Sequence, residues 1–193
     1  MSVLTDAMHF AVDAHGDAPR KGDGAPAILH SMEAAAIAAT LTGDEEVLAA
    51  AVLHDTVEDA GILPEEIRAR FGERVANLVS AETEDKRRRL PPSETWRARK
   101  EETLSHLRRA SDSGIAVVFL SDKLSNMRSL YRLQLEKGGA LWEEFHQKDP
   151  AQHHWYYRTI ADLLKPLADT PAWREFDQLI RQVFEETRQD TEC

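Results

Sequence analysis

A histidine and three acids lie within six consecutive residues, His54-Asp55-Thr56-Val57-Glu58-Asp59, directly after an uninterrupted apolar run. The run follows Asp44, a good helix N-cap, and predicts one continuous helix. At about 100° per residue, the histidine and the acids prolong the apolar arc of that helix and should point into the core. Buried carboxylates without partners are prohibitively costly, so we predict that a divalent cation neutralises them. The alternative is a solvated helix end, with the arc broken at His54.

Two more residues, distant in the sequence, are candidate metal ligands. His30 stands near the start of a predicted helix with an apolar face, although a single histidine there is more often an ordinary packed side chain. Asp122 follows six consecutive apolar residues, Ile115–Leu120, and Asn126 lies one helical turn beyond it. A carboxylate behind such a run is not expected in open water, but a helix cap or a buried salt bridge would explain Asp122 equally well.

Taken together, these positions would supply two imidazoles and two carboxylates to one site: His30, His54, Asp55 and Asp122. The only cysteine is Cys193, so the site would use nitrogen and oxygen donors, which favour manganese, magnesium, iron or zinc. A metal in such a site lowers the pKa of bound water and generates hydroxide near neutral pH. Glu58 and Asp59 are predicted one turn beyond the ligands, where they could orient or deprotonate that water.

The composition is that of an ordinary globular domain. The 193 residues are 42% hydrophobic and 30% charged, and their net charge of −10 argues against binding to nucleic acid or to an anionic membrane. No stretch approaches the apolar length of a membrane span, and residues 1–6 do not resemble the start of a secretory signal. The single cysteine fits a reducing compartment, so we expect a cytoplasmic protein.

The remaining pattern predicts helices throughout the chain. Amphipathic periodicity indicates a first helix over Val3–His15, and prolines at the first helical position indicate others at Pro150 and Pro171. The β-branched run Ile115–Leu120 could also form a buried strand, but its pattern continues for another ten residues without a helix breaker. We therefore predict an all-α fold, with one helical-bundle domain over residues 1–193.

Three ordered motifs are typical of one known family. They are Ala14-His15 with Arg20-Lys21 and Ile28-Leu29-His30, then Ala51–Asp59, then Ser121–Arg128. This pattern resembles the HD superfamily of metal-dependent phosphohydrolases, and within it the hydrolase domain of RelA/SpoT-type alarmone enzymes. The likeness extends over nearly the whole chain to stand-alone small alarmone hydrolases. It implies an HD-type helical bundle that removes the 3′-diphosphate of (p)ppGpp in the stringent response, with Mn²⁺ held by His30, His54, Asp55 and Asp122.

The same resemblance suggests residues that contact the nucleotide. It implies that the guanosine packs beside the loop of Arg20 and Lys21, whose charges could clamp a base or a phosphate. Arg99 and Lys100 match a basic pair of the family and are predicted to contact phosphate. Asn126 could hydrogen-bond the ribose or the base, or could instead support a neighbouring metal ligand.

Other conspicuous residues have simpler interpretations. Tyr156 is a candidate substrate contact, whereas the aromatic side chains around it are predicted to pack in the core. His153 and His154 match no ligand pattern and are predicted to lie on the surface. The basic run Lys86–Arg89 is predicted to be a solvated loop.

One departure from the family pattern leaves the substrate open. The first motif of the family usually reads Tyr-Ile-x-His-Pro, whereas this chain has Ala27-Ile28-Leu29-His30-Ser31, and loss of the tyrosine could reshape the pocket near the nucleoside. The alternatives are hydrolysis of another nucleotide, such as the 2′-phosphate of NADPH, and a non-catalytic module that binds nucleotide. Intact Glu58 and Asp59 argue against a pure binding module. A homo-oligomer is compatible with the sequence.

Overall fold

A computed structural model describes residues 2–20, 24–87 and 89–184, and every regular element within these ranges is a helix. The α-helices, in chain order, are α1 (Val3–His15), α2 (Ala27–Ala38), α3 (Glu45–Leu53), α4 (Thr56–Asp59), α5 (Pro64–Phe71), α6 (Glu73–Glu82), α7 (Pro92–Arg109), α8 (Ser113–Lys137), α9 (Pro150–Leu163) and α10 (Pro171–Phe184). Short 3₁₀ segments occupy Gly138–Glu144 and Lys165–Leu167. The predicted all-α class is confirmed, and Ile115–Leu120 is helical.

Side-chain caps and prolines begin helices where the sequence predicts them. The Asp44 carboxylate accepts a hydrogen bond from the Glu46 amide at 3.0 Å and begins α3. Asp149 begins α9 in the same way, accepting from the Ala151 amide at 2.8 Å, with Pro150 in the first turn. These contacts satisfy amide groups that the N-terminus of a helix leaves without intrahelical partners.

The helix α3 lies at the centre of the molecule, and every residue from Val47 to Leu53 is buried. It packs against α1, α2, α6 and α8. The three consecutive alanines Ala49–Ala51 let these neighbours approach closely on all sides. The predicted apolar arc is therefore buried, and from Val47 onward the burial extends beyond the arc to every side of the helix.

The predicted continuous helix is wrong beyond Leu53. His54 and Asp55 lie in a turn, and α4 resumes at Thr56 for a single turn of helix. The Thr56 hydroxyl donates to the Leu53 carbonyl at 2.6 Å, a local side-chain bond of the kind that competes with helix continuation. His54 is nevertheless buried, so the alternative of a solvated helix end fails for this residue.

The long helix α8 lies between two groups of buried apolar side chains. One group comes mainly from α1, α2, α3, α5 and α6, and the other from α7, α9, α10 and the 3₁₀ segment Gly138–Glu144. Asp122 and Asn126 lie one turn apart in the middle of α8, as predicted, and the Asn126 Nδ2 atom donates to Asp122 Oδ1 at 2.5 Å. Among the described helices, none is long and apolar enough to cross a membrane.

Candidate metal centre and its cavity

Four side chains from three parts of the fold converge at a cavity of about 810 Å³. The helix α2 supplies His30, the turn after α3 supplies His54 and Asp55, and α8 supplies Asp122. The Asp122 Oδ1 atom lies 3.0 Å from His30 Nε2 and 3.6 Å from His54 Nε2. The Asp55 Oδ2 atom lies 3.6 Å and 3.3 Å from the same two nitrogens. The four predicted ligands are thus neighbours in the fold.

Hydrogen bonds on the far side of each imidazole orient the two histidines. The His54 Nδ1 atom lies 2.9 Å from the Ala51 carbonyl, which can only accept, so Nδ1 carries the hydrogen. The Ser125 hydroxyl donates to Glu33 at 2.6 Å and accepts from His30 Nδ1 at 2.8 Å. In the neutral imidazoles both Nε2 atoms therefore present lone pairs to the site.

The arrangement of these donors fits a divalent metal ion. Two imidazole lone pairs that face each other across 3.2 Å repel unless a cation or a proton lies between them. Donors that bind one ion at roughly 2.0–2.2 Å stand roughly 3.0–3.5 Å apart, close to the spacing observed here. Ligand histidines also characteristically donate their other ring N–H to a carbonyl or to a hydrogen-bonded polar group, as both do here.

In the absence of an ion, a proton balances the charge of the site. Burial alone would lower the pKa of His54, but the carboxylates of Asp55 and Asp122 raise it well above its ordinary value. Burial raises the pKa of Asp122, but the Lys123 ammonium and the two imidazoles outweigh this and hold it well below its ordinary value. A metal ion must therefore displace a proton from His54.

Metal affinity should consequently increase with pH. Because the raised pKa of His54 keeps its proton on the metal-free site through neutral pH, ion binding releases that proton. We expect the affinity for Mn²⁺ to rise with pH between about pH 6 and pH 8, by up to about tenfold per pH unit for each proton released. Titration calorimetry in buffers of different ionisation enthalpy measures both quantities. A constant affinity without proton release would contradict this prediction.

The acidic pair Glu58 and Asp59 lies next to the ligands and is held by a lysine. The Lys86 Nζ atom lies 3.2 Å from Glu58 Oε1 and also contacts Asp59. The Glu84 amide donates to Glu58 Oε2 at 3.1 Å. Burial raises the pKa of Glu58, Lys86 opposes that shift, and the nearby charge of Asp55 adds to it. The prediction of a solvated loop is wrong for Lys86, which forms ion pairs with Glu58 and Asp59. These partners precede Lys86 by 28 and 27 positions, so no local sequence pattern indicates the pairing.

The basic residues predicted to bind nucleotide line the cavity, but the protein already provides them with partners. Arg20 donates to Asn126 Oδ1 at 2.6 Å and to the Ser129 hydroxyl at 2.9 Å. The Asn126 side chain therefore connects Arg20 to Asp122, which is the supporting role that the sequence left open. Lys21 lies outside the described residues.

Two basic residues of α7, Arg99 and Lys100, share the carboxylate of Glu84. Arg99 contacts the Glu84 carboxylate, and the Lys100 Nζ atom lies 3.0 Å from the other carboxylate oxygen of Glu84. Thr103 also directs its hydroxyl to Glu84, at 3.4 Å. Arg99 and Lys100 both line the cavity, so contact with phosphate stays a prediction.

Aromatic side chains line another part of the cavity wall. The ring of Tyr156 is buried there, with the Lys100 Nζ atom 4.9 Å from its centroid. The prediction that His153 lies on the surface is wrong, because its ring packs 5.2 Å from Trp96 and 5.0 Å from Trp142. His154 is half-buried and stacks on Phe184. The sequence does not indicate the burial of His153, because the tryptophans that cover it come from other elements.

The arrangement of this helical bundle, with two imidazoles and two carboxylates beside an acidic pair, defines an HD-type hydrolase domain. The family described as "HD domain" matches residues 7–147. The chain is 33% identical over 187 residues to the guanosine-3′,5′-bis(diphosphate) 3′-pyrophosphohydrolase of Aquifex aeolicus, covering 96% of this chain and 26% of that relative. It therefore spans about a quarter of that protein's length.

Two further relatives match along nearly their whole length. The chain is 34% identical over 186 residues to the guanosine-3′,5′-bis(diphosphate) 3′-pyrophosphohydrolase MESH1 of Mus musculus, covering 95% of this chain and 93% of the mouse protein. A solved structure described as a metazoan ortholog of SpoT that hydrolyzes ppGpp superposes with a TM-score of 0.76 at 26% identity, covering 94% of this chain and 96% of the other. The chain belongs to the HD domain family, in its RelA/SpoT-type hydrolase branch.

Proposed function

We propose that this protein is a metal-dependent hydrolase that removes the 3′-diphosphate of guanosine-3′,5′-bis(diphosphate) or its triphosphate analogue. The single observation that carries the proposal is the convergence of three buried side chains, His30, His54 and Asp122, with the half-buried carboxylate of Asp55, next to Glu58 and Asp59. The imidazole-to-carboxylate distances are 3.0–3.6 Å. A binding module would have no use for such an acidic pair. The names of the relatives support guanosine-3′,5′-bis(diphosphate) as the substrate.

In this proposal the metal ligands are His30, His54, Asp55 and Asp122. The ion, which we propose to be Mn²⁺, supplies Lewis-acid stabilisation of phosphoryl charge and lowers the pKa of water. Ser125 and the Ala51 carbonyl hold the two imidazoles in the orientation that this role requires. Asn126 holds the Asp122 carboxylate in place through its side-chain amide.

The acids carry out the proton transfer of the reaction. Glu58, whose pKa is raised by burial, accepts a proton from the attacking water, and Asp59 helps to orient that water. The water oxygen forms a bond to the phosphorus next to the ribose, and the bond from that phosphorus to the 3′-oxygen breaks. The 3′-oxygen takes up a proton, so the products are GDP or GTP and pyrophosphate.

The remaining cavity residues bind the nucleotide in this proposal. Arg20 and Lys21 pack against the guanosine, Arg20 being kept in place by Asn126. Arg99 and Lys100 contact phosphate, and their pairing with Glu84 keeps them oriented before the substrate arrives. Tyr156 contributes a ring surface to the same wall.

A second candidate function is hydrolysis of the 2′-phosphate of NADPH or of another phosphate ester. The specific observation in its favour is that Ala27, which replaces a tyrosine of the family motif, lines the cavity wall. The smaller side chain leaves room for a differently shaped nucleoside. The ligands and the acidic pair would act in the same way on either ester.

One experiment separates these functions. Metal-stripped protein is incubated with ppGpp, and pyrophosphate release is measured with and without Mn²⁺, in parallel with phosphate release from NADPH. Fast Mn²⁺-dependent pyrophosphate release is the expected result. Phosphate release from NADPH without pyrophosphate release from ppGpp would mean that the same site hydrolyses the second candidate substrate. If neither substrate is hydrolysed, the non-catalytic module becomes the first hypothesis, and a nucleotide-binding screen tests it.

Lys86 should be important for turnover. Replacing it with methionine (Lys86→Met) removes the cation between Glu58 and Asp59, so the pKa of Glu58 should rise further. We expect kcat to fall about tenfold near neutral pH, with the acidic limb of the pH–rate profile displaced to higher pH. The matched control is Arg87→Met, which removes only an ion pair with the half-exposed Glu102. An unchanged profile in Lys86→Met would exclude this role.

A further inference from the structure

The last residue of α6, Glu82, is a buried carboxylate for which the proposed reaction has no use. Both of its carboxylate oxygens are inaccessible to solvent and lack a hydrogen-bond partner among the described residues. Burial raises its pKa to about 8. A polar group buried in this way is costly and calls for a specific reason. Its nearest cation is Lys123, with Nζ 3.5 Å from Glu82 Oε1.

Lys123 connects Glu82 to the metal centre. Its ammonium is almost fully buried and also contacts Asp122 Oδ2. The other oxygen of Asp122, Oδ1, faces His30 and His54. A continuous series of ionisable side chains therefore extends from the histidines of the site through Asp122 and Lys123 to Glu82.

The formal charges along this row explain why a second acid is needed. In the metal-free protein, Asp122 and Lys123 neutralise each other. A divalent ion at the site uses the charge of Asp122 together with that of Asp55, so the buried Lys123 ammonium loses its countercharge. Two cations would then compete for one carboxylate, in a buried place where such repulsion is poorly screened. Lys123 opposes the rise in the pKa of Glu82, and a bound ion would oppose it further. Both cations would therefore favour the ionised form of Glu82, which supplies the missing negative charge.

We propose that Glu82 is a positioning residue of the metal centre: it neutralises Lys123 when an ion is bound, so that Lys123 orients Asp122 without competing with the ion. This inference depends on the metal centre of the proposed function, but not on the identity of the substrate. Glu84, two residues further along, does not have this role, because its carboxylate is engaged by Arg99 and Lys100.

The test is calorimetric titration of metal-stripped protein with MnCl₂, without nucleotide. Glu82→Gln keeps the shape of the side chain and removes its charge, and we expect Mn²⁺ affinity to fall by about tenfold or more, as for other groups that support a metal ligand. The matched control is Glu73→Gln, at the exposed start of the same helix, and it should keep the Mn²⁺ affinity of the wild type. Thermal melting of the metal-free variants shows whether each one folds, and Glu82→Met is a second neutral replacement if Glu82→Gln does not.

A double-mutant cycle tests whether Glu82 acts through Lys123. In a Lys123→Met background no ammonium remains to be neutralised, so the further change Glu82→Gln should cost little affinity. Wild-type Mn²⁺ affinity in Glu82→Gln, or an equal loss in both backgrounds, would overturn the proposal. A purely structural role would lower the melting temperature without this dependence on Lys123.

The outcome is separable from that of the proposed function. If the wild-type protein binds Mn²⁺ but hydrolyses neither ppGpp nor NADPH, the proposed function is contradicted. The double-mutant cycle with Lys123→Met then still tests the role of Glu82. A wild-type protein that does not bind Mn²⁺ contradicts the metal centre and this inference together.

Discussion

The variant His54→Ala is expected to lose both metal binding and hydrolysis. The His54 Nε2 atom lies within 3.6 Å of a donor atom from each of the other three proposed ligands. Its removal would leave two carboxylates and one imidazole, too few donors to enclose the ion. Groups that merely support a metal ligand cost about 10- to 100-fold in affinity when they are replaced, and the loss of a ligand itself should exceed this. Calorimetry with Mn²⁺ and pyrophosphate release from ppGpp measure the two losses.

The control for this variant is His106→Ala, which removes an exposed histidine of α7. It should bind Mn²⁺ and turn over substrate like the wild type. If the Mn²⁺ affinity of His54→Ala stayed within tenfold of the wild-type value, while the control behaved as expected, the ion would not be bound by the four residues described. Its melting temperature without metal shows whether a loss of binding reflects a loss of the fold.

The variant Glu58→Gln is expected to separate metal binding from catalysis. Glu58 contacts Lys86 and the Glu84 amide and is not one of the four proposed ligands, so Mn²⁺ affinity should stay close to that of the wild type. Removing a general base typically costs about 10²- to 10⁴-fold in rate, and kcat should fall within that range with little change in KM. Glu58→Ala should behave similarly.

The matched control is Glu66→Gln on the exposed surface of α5, which should leave kcat unchanged. Full activity in Glu58→Gln would assign the water-activating role elsewhere, with Asp59→Asn as the next variant to measure. A loss of Mn²⁺ from Glu58→Gln would instead place Glu58 among the ligands.

The sequence predicts what depends on local chemistry and on short spacing. The N-caps Asp44 and Asp149 and the pairing of Asp122 with Asn126 follow from residues fewer than five positions apart. The helical state of the β-branched run before Asp122 follows from the ten residues after it, which contain no helix breaker. The sequence also predicts the burial of His54, although the helix before it ends one residue earlier.

The rest depends on contacts between residues that are distant in the sequence. Lys86 meets Glu58 only because the segment after α6 crosses over α4, and Lys123 meets Glu82 only because α6 packs on α8. The sequence does not show whether another segment of the fold covers a charged residue, whether that residue lies in a loop or in a helix. The same holds for His153, which the tryptophans of other elements enclose.

The burial of α3 from Val47 onward determines how the site responds to heat. Two of the four proposed ligands follow directly after this helix, which from Val47 onward has no solvent-exposed side from which it could fray. Local opening of a protein is easiest where few apolar contacts hold a segment, and here buried apolar contacts hold the segment next to the proposed ligands on every side. The donors cannot separate while the core is intact. On heating, the capacity to hold an ion should therefore persist up to the unfolding transition and disappear within it.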